Sequence, residues 1–243
     1  MSLWFVTPAW RRFNLTAVCL EQRRRVIETL ARHGVEAQCV VVADDRNLDT
    51  ARALGFATVR RENDWLDTKF NDGMEYAGRQ GAEWIVPIGS DSWIDPAYFL
   101  SLPAIGTRTS PLYCAVEPGR MVEISVGRPA GAGPYVFHRS LLEPSGFRPA
   151  GDGQRQRGID GATITGIEAS TGRPIDWQSY NLHGLQYVGF RGTPHITAYE
   201  KLKRRWGVRE RRNPWPFLNR HYGVDIVIAA RLALQKDAAS QAA

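Results

Sequence analysis

The sequence predicts an α/β domain built on an open, mostly parallel sheet with helices on both faces. Three observations predict it. Short apolar runs alternate with stretches of helical period. The connections between successive runs are long enough for parallel crossovers. Hydrophobic residues make up 43% of the 243, enough for a core on both sides of a sheet.

In chain order, Leu3-Trp4-Phe5-Val6 is an apolar run ended by Thr7-Pro8 and reads as a buried first strand. Asn14 is placed to cap the next helix. There Leu15, Val18, Cys19, Val26, Ile27 and Leu30 recur on one side, and His33-Gly34 ends the helix. A valine-rich strand over Ala37 to Val42 leads to Asp44-Asp45. Asp49 to Leu54, Ala57 to Val59, Thr68 to Arg79 and Glu83 to Ile88 continue as helix, strand, helix, strand, with Asp67 or Thr68 as a cap. After Leu102, prolines and glycines punctuate shorter strands at Leu112 to Val116, Val122 to Val126 and Tyr135 to Phe137. Further helices are expected from about Ser140 and from Asp160-Gly161, with a loop over Gly151 to Arg155 between them.

Composition narrows the function classes. Met1-Ser2-Leu3-Trp4 lacks a signal-peptide layout, and no apolar run reaches the roughly 18 residues of a membrane span. A cytoplasmic protein without membrane insertion is expected. Cys19, Cys39 and Cys114 are far apart and form no C-x-x-C pair, which disfavours a disulfide framework or zinc cluster. The net charge is +6, and much of the excess lies in Lys201-Leu202-Lys203-Arg204-Arg205-Trp206 and Arg209-Glu210-Arg211-Arg212. Such a patch suits a phosphate-bearing partner, or is a solvated helix face.

In an open parallel sheet, ligands bind beyond the carboxyl ends of the strands. Three polar groups fall there: Thr7-Pro8, Asp44-Asp45 and Ser90-Asp91-Ser92, with positive charge nearby on Arg11, Arg12 and Lys69. A carboxylate after the second strand suits a ribose hydroxyl or a base, and Asp91 suits a divalent cation between phosphates. No G-x-G-x-x-G follows the first strand and no G-x-x-x-x-G-K-[ST] occurs, so dinucleotide dehydrogenases and P-loop NTPases are disfavoured.

The stretch Lys69-Phe70-Asn71-Asp72-Gly73-Met74-Glu75-Tyr76-Ala77, followed by Gly81 through Pro96 with Gly89-Ser90-Asp91, resembles the nucleotide-binding half of GT-A, family-2-like glycosyltransferases. Gly131-Ala132-Gly133 through Arg139, with Arg157-Gly158-Ile159-Asp160, is similar to the acceptor half of related phage-encoded enzymes. The resemblance implies a catalytic domain over 1–200, with a nucleotide-binding half (1–102), an acceptor half (103–200) and a basic, aromatic-containing extension over 201–243. It implies transfer of a sugar from a nucleoside-diphosphate sugar to an acceptor hydroxyl, with inversion. Thr7, Pro8 and Arg11 would line the nucleoside pocket, and Asp44 or Asp45 would meet the base or ribose. Lys69, Asn71 and Ser90 would approach the nucleotide, and Asp91 would hold Mn²⁺ or Mg²⁺. Asp160 would be the general base, or else only a helix cap, and His195 the late metal ligand. Gly89 stands where the D-x-D signature has its first Asp, which weakens the implied metal site. The expected acceptor is a hydroxymethylated base in phage DNA, gripped by the basic tail with Trp206, Trp215, Phe217 and Tyr222. A phage structural protein or a glycan is the alternative, and a sugar nucleotidyltransferase the rival activity.

Overall fold

A computed structural model describes residues 1–44, 46–100, 102, 107–109, 112–117, 120–125, 135–153, 159–179, 187–190 and 208–242. Strand β1 (Ser2–Pro8), helix α1 (Phe13–Arg32), β2 (Glu36–Ala43), α2 (Asn47–Ala53), β3 (Ala57–Arg60), α3 (Leu66–Arg79) and β4 (Trp84–Pro87) follow the expected alternation. Next come β5 (Ser92–Ile94), β6 (Thr107–Thr109), β7 (Leu112–Glu117), β8 (Arg120–Ser125), β9 (Tyr135–His138), α4 (Arg139–Leu142) and α5 (Ile159–Thr171). The chain closes with β10 (Trp177–Ser179), β11 (Tyr187–Phe190), β12 (Val208–Arg212), α6 (Trp215–Tyr222) and α7 (Val224–Ala242).

A seven-stranded sheet has the order β10-β6-β9-β4-β1-β2-β3. All its pairings are parallel except those of β9, which runs against both β4 and β6. Alternation along the strands explains why both faces are covered. Leu3, Phe5, Cys39, Val41 and Val86 share one core with Leu20, Val26 and Leu30 of α1, whereas Val6, Val40 and Ile85 pack with Met74 and Ala77 of α3 and Ile167 of α5. The central strands therefore read as unbroken apolar runs.

A second sheet, β12-β8-β7-β11-β5, lies over the other side of α1. The segment expected to be a basic extension is built into this layer among its described residues. β12 pairs antiparallel with β8, and Trp215, Leu218, Ile226, Val227, Ala230 and Leu234 bury against Leu15 and Cys19 of α1. The physical reason is an apolar stripe on the last two helices that the arginine-rich stretch before them obscures. Both sheets draw strands from the first and second halves of the chain. No helix among the described residues is long and apolar enough to cross a membrane.

Candidate active site at the strand ends

The loops after β1, β2 and β4 meet beyond the carboxyl edge of the large sheet. The β1–α1 turn sets the geometry. Arg11 and Arg12 adopt left-handed backbone conformations, with φ of 52° and 41°. Such values are uncommon for residues with a side chain and cost of order 1–3 kcal/mol each. Three contacts hold the turn: Ala9 N donates to Val42 O at 2.9 Å, Lys69 Nζ to Ala9 O at 3.0 Å and Asn47 Nδ2 to Arg11 O at 3.4 Å. The result points Arg12 across the sheet edge, where its Nη2 lies 3.0 Å from Asp91 Oδ2.

Asp91, 6% exposed, lies in the connection after β4 and immediately before β5. Its Oδ1 accepts the Ser92 hydroxyl at 3.0 Å, and Ser92 Oγ is 2.8 Å from the Tyr187 hydroxyl. An ionised carboxylate only accepts, so Ser92 donates to Asp91 and Tyr187 donates to Ser92. The polar chain thus has one direction, from β11 through β5 to the rim. Burial pushes the Tyr187 phenol up, and the negative charge of Asp91, then that of Asp160, adds to the shift. Gly89 has a steric reason for its identity: a Cβ there would lie 2.6 Å from Asp91 Oδ1.

Asp160 stands in the first turn of α5, beside a small recess lined by Phe70, Met74, Pro87, Tyr135, Phe137 and Thr163. Asp160 itself is exposed, yet the density of the protein packed around its carboxyl raises its pKa above the ordinary value by desolvation.

The other expected residues take different places. Thr7 is fully buried with its hydroxyl 3.9 Å from Cys39 Sγ, turned into the sheet, and Pro8 is buried at the end of β1. Asp44 accepts from Asn63 N at 3.0 Å, and Asn63 Oδ1 in turn accepts from Lys69 Nζ at 2.8 Å. Asn71 binds the 150–153 segment, donating to Gly151 O and to Asp152 Oδ1 and accepting from Ala150 N. Lys69 and Asn71 thereby brace the rim from below. Ser90 is buried beside Asp91. Asp45 and His195 lie outside the described residues. Among the described residues, no three His, Cys, Asp or Glu side chains gather as a metal site. Tyr187 is a contributor that the sequence does not signal, whereas Ser92 belongs to the polar group Ser90-Asp91-Ser92 expected at this rim.

No protein-family model matches the chain, and no curated protein does. Among solved structures, residues 1–349 of Staphylococcus aureus TarS, in complex with UDP, superimpose with a TM-score of 0.53 at 10% identity. The match covers 79% of this chain and 61% of that one. The fold is GT-A-like. This chain therefore spans about three-fifths of the TarS structure it matches. A looser match, with a TM-score of 0.48 at 15% identity, covers 99% of this chain and 74% of the mannosyltransferase PcManGT from Pyrobaculum calidifontis, solved with GDP-Man and Mn²⁺. Arg12 and Asp91 stand together at the strand ends of this sheet, and Asp160 lines the recess.

Proposed function

We propose that this protein is a nucleotide-sugar-dependent glycosyltransferase that moves a sugar from a nucleoside-diphosphate sugar to an acceptor hydroxyl with inversion. The observation that carries the reading is the Arg12–Asp91 ion pair at the carboxyl edge of a GT-A-like sheet, with Asp160 in the first turn of α5 lining a nearby recess against β4 and β9.

The acceptor oxygen attacks the anomeric carbon as the bond from that carbon to the diphosphate breaks, and the electron pair leaves with the phosphate. Asp160 takes the acceptor proton, a role for which a raised pKa is suited because basicity rises with it. Arg12 meets the negative charge growing on the departing diphosphate. Arg11 and Asp44 or Asp45 face the nucleoside, with Ser90, Lys69 and Asn71 supporting that rim. Mn²⁺ or Mg²⁺ can be held by a single rim carboxylate such as Asp91 plus substrate phosphates, provided that Arg12 turns from Asp91 toward the diphosphate. Asp91, with His195 as the second candidate, would hold the ion, which would supply charge neutralisation at the diphosphate.

A hydroxymethylated base in DNA draws support from Arg212 and Arg220, which are exposed. Against it, Trp215 is buried and Phe217 and Tyr222 pack into the second core, which removes stacking faces a single strand would use. A glycan or protein hydroxyl is the alternative acceptor. Incubating nucleotide-sugars with candidate acceptors and following diphosphate release tests the reading. Asp160→Asn should keep donor affinity and lose about 10²–10⁴-fold in transfer. Wild-type turnover in that variant would reduce Asp160 to a helix residue and end the proposed mechanism.

A further inference from the structure

We infer that Asp237, on the last helix, is a positioning residue for Arg12, acting by capping α1 from the far end of the chain. The inference rests on the reading that Arg12 meets the diphosphate.

The first turn of a helix exposes N–H groups that need an acceptor, and the residue just before the helix ordinarily supplies it. Here that residue is Arg12, which has no acceptor atom in its side chain and makes no cap. Asp237 fills the role instead. Its Oδ2 accepts Leu15 N at 3.0 Å, and its Oδ1 accepts Asn14 Nδ2 at 2.6 Å and Asn14 N at 3.4 Å. It is 8% exposed, and its negative charge sits at the positive end of the α1 dipole.

Moving the cap to a distant residue leaves position 12 available for a guanidinium. Arg12 can then reach Asp91 while α1 still starts cleanly one residue later. The strained Arg11–Arg12 turn needs anchoring from both sides to persist. Lys69 and Asn47 hold its sheet side, and Asp237 holds its helix side. A second tether fixes the register of α7 on α1: Asp225 Oδ2 lies 2.7 Å from Arg25 Nη2. From Asp225 to Asp237 the helix rises about 18 Å, and from Asn14 to Arg25 about 17 Å, so the two tethers match antiparallel helices without slack.

The test is a double-mutant cycle read as affinity for nucleoside diphosphates by isothermal titration calorimetry, using whichever of UDP, GDP, CDP and ADP binds wild type most tightly. Wild type, Asp237→Ala, Arg12→Gln and the double variant are compared, with melting temperature measured on each. Arg12→Gln should weaken binding at least tenfold. Asp237→Ala should weaken it about tenfold in the wild-type background and leave it unchanged in the Arg12→Gln background, while lowering the melting temperature in both. Asp237→Asn keeps an acceptor oxygen and should recover most of the affinity, which covers the case in which Asp237→Ala fails to fold. Affinity lost equally in both backgrounds, or a lower melting temperature with unchanged affinity, would make Asp237 a structural cap alone and overturn the inference. Unchanged affinity in Arg12→Gln would instead remove the diphosphate reading of Arg12, and the role of Asp237 with it.

Discussion

Asp160 combines two properties that ordinarily oppose each other, a place at a helix N-terminus and a raised pKa. The sign of its effect on stability follows. A carboxyl whose folded pKa lies above its unfolded value favours the fold while protonated, and that contribution is lost as pH rises through the folded pKa. Ionised Asp160 therefore costs stability at neutral pH, and Asp160→Asn should raise the melting temperature there while sharply reducing transfer. Equal melting curves across pH 4–8 would contradict the desolvation argument. The same shift should move the acid limb of the rate profile above the ordinary carboxylate range. At position 89, restoring the Asp of a D-x-D signature should harm the site, because any Cβ there collides with Asp91 Oδ1. Gly89→Asp should weaken nucleoside diphosphate binding, and tighter binding would show that Asp91 has room to move. The candidates Asp91 and Asp160 can be picked out of the sequence because one follows an apolar run and the other starts a helix. Arg12 was legible only as charge: its partner is 79 residues away, and the Ser92–Tyr187 contact spans 95. No local pattern encodes such pairs.

At the level of elements, β1 to β4 and α1 to α3 appear within a residue or two of their expected limits, since period and glycine punctuation are local signals. Caps were read less well. Asn14 accepts no cap duty, and α3 begins after Trp65 with no side-chain cap. The placement of α5, which carries Asp160, depends on Gly166: a Cβ there would fall 1.8 Å from Pro149 O, a backbone atom that cannot swing aside. Gly166→Ala should cost about 1–3 kcal/mol by overpacking, measured by urea unfolding, and should reduce transfer more than donor binding. Arg148 locks the 150–153 segment to α3, meeting Asp72 Oδ1 at 2.9 Å, Glu75 Oε2 at 2.6 Å and Asp152 Oδ1 at 2.7 Å. Its hydrogen bond to Asp152 holds that carboxyl below its ordinary pKa. The stabilisation is present at neutral pH and fades as acid protonates Asp152. Arg148→Ala should cost about 1–2 kcal/mol at pH 7, allowing for partial solvent screening, and less near pH 3.

For the whole molecule, the parallel sheet was legible because its central strands are buried on both faces and so lack polar interruptions. The second sheet was not. Its strands come from Ser92–Ile94, Leu112–Glu117, Arg120–Ser125, Tyr187–Phe190 and Val208–Arg212, and their pairing is a matter of long-range register. The fate of the last helices was hidden for a related reason: basic residues dominate the approach to them, while the stripe that buries Trp215 and Leu234 appears only at helical spacing. Packed on α1, these helices become part of the support for the Arg11–Arg12 turn. The proposed activity requires a nucleoside-diphosphate sugar to bind at the ends of β1, β2 and β4. Thermal shift with a panel of such sugars, with and without Mn²⁺, on wild type and Asp91→Asn measures this directly. At 100 times its dissociation constant a true donor adds about 2.7 kcal/mol, which corresponds to a rise of roughly 5–10 °C in a chain of this size. One donor class should produce that rise in wild type and a much smaller one in Asp91→Asn. No rise with any donor at millimolar concentration, or the same rise in both proteins, would contradict the account.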